Sequence, residues 1–232
     1  MALATWWRGD SVPQLALLAG FHVEVSRDDH LIAQLNRLTL DEVHRRIAMG
    51  HQPYIASVEQ TPVGYGWTAT QEASIGELGS HFALPAADRY LWDFATLPEW
   101  QGYGIYPRLL QHMLMQQSST VERIWIIHAP ENSPSGAGMT KAGLLPIGQL
   151  SFRGDGGVAL APFESRERAQ TGAALLGIPL IESVLAPCWS CGGATDKHSQ
   201  IVDADSCWPP LRPTTQPCTC AIERKPAKTI AA

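Results

Sequence analysis

The sequence predicts an α/β (α+β) fold in which a mixed central β-sheet is flanked by helices. Three observations carry this reading. Residues 90–97 (YLWDFATL) are apolar at both parities, as in a strand buried on both faces. A glycine-bearing turn then leads into an amphipathic helix, with Ile105, Leu109 and Met113, and also Leu110 and Leu114, at helical spacing. Residues 121–127 (VERIWII) form a second buried strand.

The elements follow in chain order. The first 35 residues are mixed: residues 15–18 read as a short helix and Arg27, Asp28 and Asp29 as a polar loop. Thr39-Leu40-Asp41-Glu42 is a capping box, in which the Thr39 hydroxyl bonds the Glu42 N–H and the Glu42 side chain reaches back. Leu40, Val43 and Ile47 then share one helical face, and Gly50 stops the helix. Two β-prone runs, residues 53–59 and 63–70, are joined by Gln60-Thr61-Pro62 as a hairpin. Residues 72–85 are looser. After the second buried strand, Ser133 reads as an N-cap and Pro134 as the first helical residue. That helix runs to Ala142, with Lys141 in its last turn and Gly143 after it. Residues 149–153 read as one more strand.

The composition shifts past Arg153. Gly154, Gly156 and Gly157 make a linker or wide turn, so residues 1–153 read as one domain and 154–232 as a C-terminal extension. Residues 165–176 are helical and end at Gly177. From Pro187 onward the chain is rich in Cys, Pro and Thr and has little apolar periodicity, so it can hardly bury a core of its own.

Whole-chain properties exclude several classes. With 232 residues at 45% hydrophobic content the chain can bury one sizeable core. A net charge of -5 and the lack of a Lys/Arg cluster argue against nucleic acid and anionic membranes as partners. The start, MALATWWRGD, lacks the apolar run of a secretory signal. Residues 173–187, the most apolar late stretch, are broken by Gly177, Pro179 and Glu182 and fall short of a membrane span. The expectation is a soluble, cytoplasmic protein of unassigned oligomeric state.

The turn between the two buried strands carries the chemistry. Glycines at 102 and 104 let the backbone approach a ligand without a Cβ in the way. The free N–H groups of the helix's first turn face the same ligand, together with the positive end of the helix dipole, and a diphosphate suits that arrangement. The same pattern also makes a plain strand–helix turn.

In its wider setting this segment resembles the Gcn5-related N-acetyltransferase family, whose signature is Q/R-x-x-G-x-G/A. Gln101, Gly102, Tyr103, Gly104, Ile105 and Tyr106 fill the six places, and Asn132 followed by Lys141-Ala142-Gly143-Leu144 matches the family's next segment. The resemblance covers roughly residues 35–153. Two positions depart from it. Tyr106 stands where the family has Gly or Ala, and Met139 stands where many members have a catalytic Tyr; a thioether cannot protonate a leaving thiolate.

The resemblance implies a GNAT-like fold and an acyl-CoA-dependent N-acyltransferase. Acetyl-CoA would lie between the strands at residues 90–97 and 121–127. Backbone groups of Ala95, Thr96 and Leu97 would pair with the pantetheine arm, the turn from Gln101 to Tyr106 would hold the pyrophosphate, and Asn132 would bond the pantetheine. A small-molecule or protein amine would attack the thioester directly, its proton going to a base or a water relay. Asp93 sits in the apolar strand at the parity opposite Trp92 and Phe94. It reads either as a buried base or as a core Asp bonded to a loop. His128, at the end of the second strand, is either the base or a structural histidine. Glu77 and His81 can reach an amine, and equally suit a solvated loop. Trp92, Trp100, Tyr103 and Tyr106 suit a substrate wall or, for Trp92, the core.

All five cysteines lie in the last part of the chain. Cys188 and Cys191 form a CxxC, and Cys218 and Cys220 a CxC; four thiolates in two close pairs can surround a tetrahedral structural zinc. Cys207 and His198 are possible substitutes, and a thiol-bearing tail without metal fits as well. Two other classes stay open beside the enzyme: a non-catalytic acyl-CoA-binding regulatory module, and a zinc-bearing interaction protein.

Overall fold

A computed structural model describes residues 1–129, 132–153 and 157–182. The elements are, in chain order, β1 (Ala2–Trp7), β2 (Phe21–Val25), α1 (Asp29–Asn36), α2 (Leu40–Ala48), β3 (Gln52–Val58), β4 (Thr61–Ala69), β5 (Glu72–Ile75), β6 (Ser80–Ala83), β7 (Asp88–Thr96), α3 (Ile105–Met115), β8 (Arg123–His128), α4 (Ser133–Ala142), β9 (Leu145–Phe152), β10 (Val158–Pro162) and α5 (Arg166–Leu176). Eight strands join one sheet in the order β10-β9-β1-β8-β7-β4-β3-β2, and β5 with β6 makes a separate hairpin. Strands β7 and β8 run parallel, and their neighbours pair antiparallel. The fold is therefore the predicted α+β arrangement, a central mixed sheet flanked by helices.

Strand alternation divides the core. Tyr54, Ala56, Leu91, Ile124 and Ile126 point to one face, where they meet Leu109, Leu110, Met113 and Leu114 of α3 and Met139 and Ala142 of α4. Their neighbours Ile55, Trp67, Tyr90 and Trp125 point to the other. There Ile32 and Val43 of α1 and α2 pack on Ile55 and Trp67, and Ala169, Ala173 and Leu176 of α5 join the cluster of Tyr90 and Trp125. Each fully buried Leu or Ile on these faces contributes about 1.5–3 kcal/mol. Gly172 of α5 sits so close to Leu3, Ile147 and Trp125 that a Cβ would lie 2.7 Å from the Leu3 side chain. Since β10 also pairs with β9 in register, residues 158–176 share the sheet and the core of residues 1–153.

The first 50 residues hold most of the differences from the sequence reading. Residues 15–18 are not a helix. They belong to an irregular strap over α3, in which the Pro13 carbonyl accepts from Gln111 (2.6 Å), the Ala16 carbonyl accepts from Arg108 (2.7 Å), and Leu17 is fully exposed. Carbonyls engaged by α3 side chains are lost to a local helical ladder. Asp28 is a helix cap, its carboxylate accepting from the Leu31 N–H at 2.9 Å to start α1. The Thr39 cap of α2 is present at 3.2 Å, but the Glu42 carboxylate, instead of reaching back, takes Arg45 (2.8 Å) and Arg46 (2.9 Å). The buried residues of α2 are Val43 and Arg46, while Ile47 is 40% exposed. The helix is rolled to bring the Arg46 guanidinium over the rings of Trp92 (4.5 Å) and Trp67 (5.1 Å). The α4 cap is Asn132, one residue earlier than read, its side chain accepting from the Ser135 N–H at 3.2 Å.

Candidate functional site: a gap between two parallel strands

Pairing of β7 with β8 runs from Asp88 opposite Arg123 to Leu91 opposite Ile126 and then stops. A β-bulge in β7 marks the place. Tyr65 of β4 faces Ala95, yet Trp67 faces Trp92, so Gly66 stands against two residues, Asp93 and Phe94. Asp93 takes the left-handed backbone at φ 51°. Gly66 is required here, because a Cβ would come within 2.1 Å of the Phe94 ring. β7 stays with β4 as far as Thr96, and the Leu97 N–H still donates to the Val63 carbonyl at 2.9 Å. The strand thus follows β4 away from β8. Among the described residues no strand pairs with the β8-side edge of residues 92–96, which include Ala95 and Thr96.

The glycine turn closes the wide end of this gap. A 3-10 turn over Pro98–Trp100 leads to Gln101, whose side-chain amide donates to the Thr96 carbonyl at 3.4 Å. Gly102 (φ 85°) and Gly104 (φ 72°) are left-handed, and Gly104 caps α3 with no side chain of its own. A Cβ at Gly102 would meet nothing within 4 Å, so that backbone faces open space. The N–H groups of Ile105 and Tyr106 open the helix, and Pro107 contributes none. Arg108 folds back so that Nη1 donates to the Gly104 carbonyl (2.8 Å) and Nη2 to Ala16 (2.7 Å). This fixes the turn to the strap and places a guanidinium beside the positive end of α3. Trp100 and Tyr103 pair on the outer side, ring centroids 5.8 Å apart, with Tyr103 61% exposed.

The other wall is the end of β8 with the first turns of α4. The His128 Nδ1–H donates to the Ala129 carbonyl at 2.8 Å, which in a neutral ring leaves the lone pair on Nε2. The ring packs on Gly136, where a Cβ would sit 3.0 Å from Nε2. Tyr106 crosses from α3: its ring meets Phe94 edge-on at 5.4 Å, its hydroxyl lies 3.1 Å from Ser135 Oγ, and a Cβ on Gly138 would come 2.5 Å from the ring. Glycines at 136 and 138 are therefore what lets α4 accept both side chains. Burial pushes the Tyr106 phenol up to about 12, against the lowering effect of the Ser135 hydrogen bond. The Asn132 side-chain oxygen serves as the α4 cap.

Asp93 faces the α2 side. Its carboxylate pairs with Arg46, which also holds Glu42 and stacks on Trp92. Trp92 and Asp93, expected at opposite parities, thus meet the same guanidinium because the bulge breaks the alternation. His51, absent from the sequence reading, packs edge-on to Trp92 at 5.0 Å, and burial, reinforced by Arg46, holds its pKa below the ordinary range. Glu77 and His81 are exposed on the β5–β6 hairpin, whose Ile75 and Phe82 join the α5 cluster. The cysteines at 188, 191, 218 and 220 lie outside the described residues. Among the described residues no helix is long and apolar enough to cross a membrane.

No protein-family model and no curated protein sequence matches the chain. Solved structures do. A GCN5-related N-acetyltransferase from Kribbella flavida is 14% identical over 62% of this chain and 53% of its own, with a TM-score of 0.41. The chain thus spans about half the length of that protein. The Salmonella typhimurium protein yncA, with its cofactor acetyl-CoA, is 12% identical over 57% of this chain and 83% of its own, with a TM-score of 0.44. The aminoglycoside acetyltransferase AAC(6')-Ib, in complex with coenzyme A and kanamycin, is 20% identical over 59% of this chain and 90% of its own, with a TM-score of 0.45. The family that the motif from Gln101 to Tyr106 resembles is that of the Gcn5-related N-acetyltransferases.

Proposed function

We propose that the protein is an acyl-CoA-dependent N-acyltransferase that moves an acetyl group from acetyl-CoA to an amine. The observation that carries this reading is the coincidence of three features at one place. They are the loss of β7–β8 pairing after Leu91, the bulge at Asp93, and the left-handed glycine turn that opens α3. Acetyl-CoA supplies the acyl group as an activated thioester. The chain supplies positioning. The unpaired edge at Ala95 and Thr96 offers backbone groups to an extended pantetheine, much as a sheet edge takes an added strand, whereas the Leu97 N–H and carbonyl are already engaged by Val63 and Trp100. In the turn from Gln101 to Tyr106 the Gln101 N–H is held by the Pro98 carbonyl, and Gly102, Tyr103, Gly104, Ile105 and Tyr106 offer N–H groups and the helix dipole to a diphosphate, with Arg108 adding positive charge. Asn132 lines the α4 side.

An amine must be neutral to attack, so a group of the protein or a water relay takes its proton. Of the two sequence candidates His128 is the one at the end of β8, with its Nδ1–H donating to the Ala129 carbonyl and its ring against α4 at Gly136. The Asp93 carboxylate is engaged by Arg46 and fits a role in fixing the bulge and the acceptor side of the gap. The acceptor is a small-molecule or protein amine. Calorimetry with acetyl-CoA, followed by release of free CoA across a panel of amines, tests the reading. A protein that neither binds acetyl-CoA nor releases CoA with any amine is not an acyltransferase of this kind.

A further inference from the structure

Tyr106 is larger than its place in the turn requires. The turn needs only its backbone N–H, yet the side chain crosses from α3 to α4 and ends in a largely buried hydroxyl pair. Its oxygen is 3.1 Å from Ser135 Oγ, which is in turn 3.8 Å from the Met139 sulfur. The surroundings are cut to fit it. Gly138 has no side chain where one would strike the phenol ring at 2.5 Å, and Phe94, on the diverging end of β7, meets the ring edge-on. Phe94 belongs to the diverging end of β7 and Ser135 to the first turn of α4, so the Tyr106 side chain touches an element on each side of the gap. Two neighbouring groups there, Met139 and Phe94, have no hydrogen to donate to a developing anion.

Resting on the acyltransferase reading of this gap, we propose that Tyr106 is the hydrogen-bond donor that holds the leaving sulfur of the thioester. Ser135 turns its own hydroxyl hydrogen toward the phenol oxygen, which frees the phenol hydrogen for the sulfur. The amine nitrogen forms its bond to the carbonyl carbon, and the carbon–sulfur bond breaks with its electron pair going to sulfur. The proton lost by the amine passes to the base and on to water. The thiolate leaves hydrogen-bonded to Tyr106 and takes its proton from water. A buried phenol that stays protonated through the neutral range is suited to donate in this way without being consumed.

The test uses coenzyme A itself as the probe. In the intact protein the thiolate absorbance of bound CoA is followed through a pH titration, beside the same titration for Tyr106→Phe and Ser135→Ala. A donor to sulfur favours the thiolate, so the bound thiol should ionise about one pH unit higher in Tyr106→Phe than in the parent protein, and by a smaller margin in Ser135→Ala. Affinity for CoA should hold, while kcat for Tyr106→Phe drops about tenfold or more with KM for acetyl-CoA little changed. Equal thiol titrations in parent and Tyr106→Phe overturn the assignment. So does tighter CoA binding with faster turnover in Tyr106→Ala, which would identify the ring as a plug. Failure of the parent protein to bind CoA at all overturns the acyltransferase reading, and the assignment falls with it.

Discussion

At Asp93 the backbone takes φ 51°, a conformation that costs most L-residues about 1–2 kcal/mol and that Asp tolerates better than others. Arg46 holds its carboxylate, and Gly66 opposite leaves room for Phe94 to turn toward Tyr106. Sequence patterning shows an apolar strand through this point but not the extra residue in it, because a bulge depends on the partner strand. Gly102 and Gly104 were legible, being glycines where the turn demands φ above zero. The Tyr106–Ser135 pair was not, since 29 residues separate its members. Two substitutions test this scale. Gly104→Val puts a β-branched residue at φ 72° and a Cβ 2.4 Å from Arg108 Nη1. The arginine can swing aside, so the fold should survive with a loss of about 1–2 kcal/mol, while affinity for acetyl-CoA is lost. Unchanged affinity by calorimetry in the folded variant would remove the turn from the binding site. Met139 is 1% exposed in the α3–α4 core. Met139→Ala should therefore cost about 2–5 kcal/mol in urea unfolding. Its turnover should fall by less than about a hundredfold, which is about 2.7 kcal/mol of barrier.

Among the elements, those with clear periodicity were read correctly in kind: α2, the β3–β4 hairpin, β7, α3, β8, α4 and α5. The α1 helix escapes the sequence reading because it is only eight residues long, with Ile32 alone fully buried among its apolar residues, and because its Asp28 cap looks like a loop. What sequence could not show is how α5 docks. Asp10 accepts from both terminal nitrogens of Arg168 at 2.6 Å and from the Trp7 N–H at 2.8 Å, while the guanidinium lies 4.7 Å from the Trp7 ring centroid. The Arg168 hydrogen bond is the main reason the Asp10 carboxyl lies below its ordinary value of 3.8. A pKa lower in the folded chain than in the unfolded one means the pair stabilises fully above pH 3.8 and loses its effect as pH falls through the folded value. Asp10→Asn should thus lower stability by about 1–3 kcal/mol at pH 7. The gap between parent and variant should narrow in urea melts run near pH 3. A gap of the same size at both pH values would show that shape, not charge, docks α5.

At the scale of the molecule the sheet is held together by a strand that the sequence concealed. ALATWW is short, apolar at both parities and without turn signals, so nothing in it distinguishes a central strand from a frayed end. In the fold it lies between β8 and β9, antiparallel to both, with Leu3, Ala4 and Thr5 fully buried. Thr5 also donates its hydroxyl to the Ile124 carbonyl at 2.8 Å. Residues 2–7 thus join segments more than 100 positions away and link the half of the sheet carrying β7 to the half carrying β9 and β10. A chain starting at Arg8 would leave β8 and β9 with facing unpaired edges about 10 Å apart, twice the strand spacing. Unpaired, apolar edges of this kind recruit other chains. The truncated protein should therefore elute as aggregates and show weakened far-UV strand signal. A synthetic peptide of residues 1–8 added in trans should restore a monomer by filling the vacant place, as donor strands do. A control peptide with its residues shifted by one position reverses which side chains face each core and should fail. A truncated chain that stays monomeric with a native spectrum would mean that β8 and β9 can close on each other, and that β1 is an accessory to the sheet instead of the strand that joins its halves.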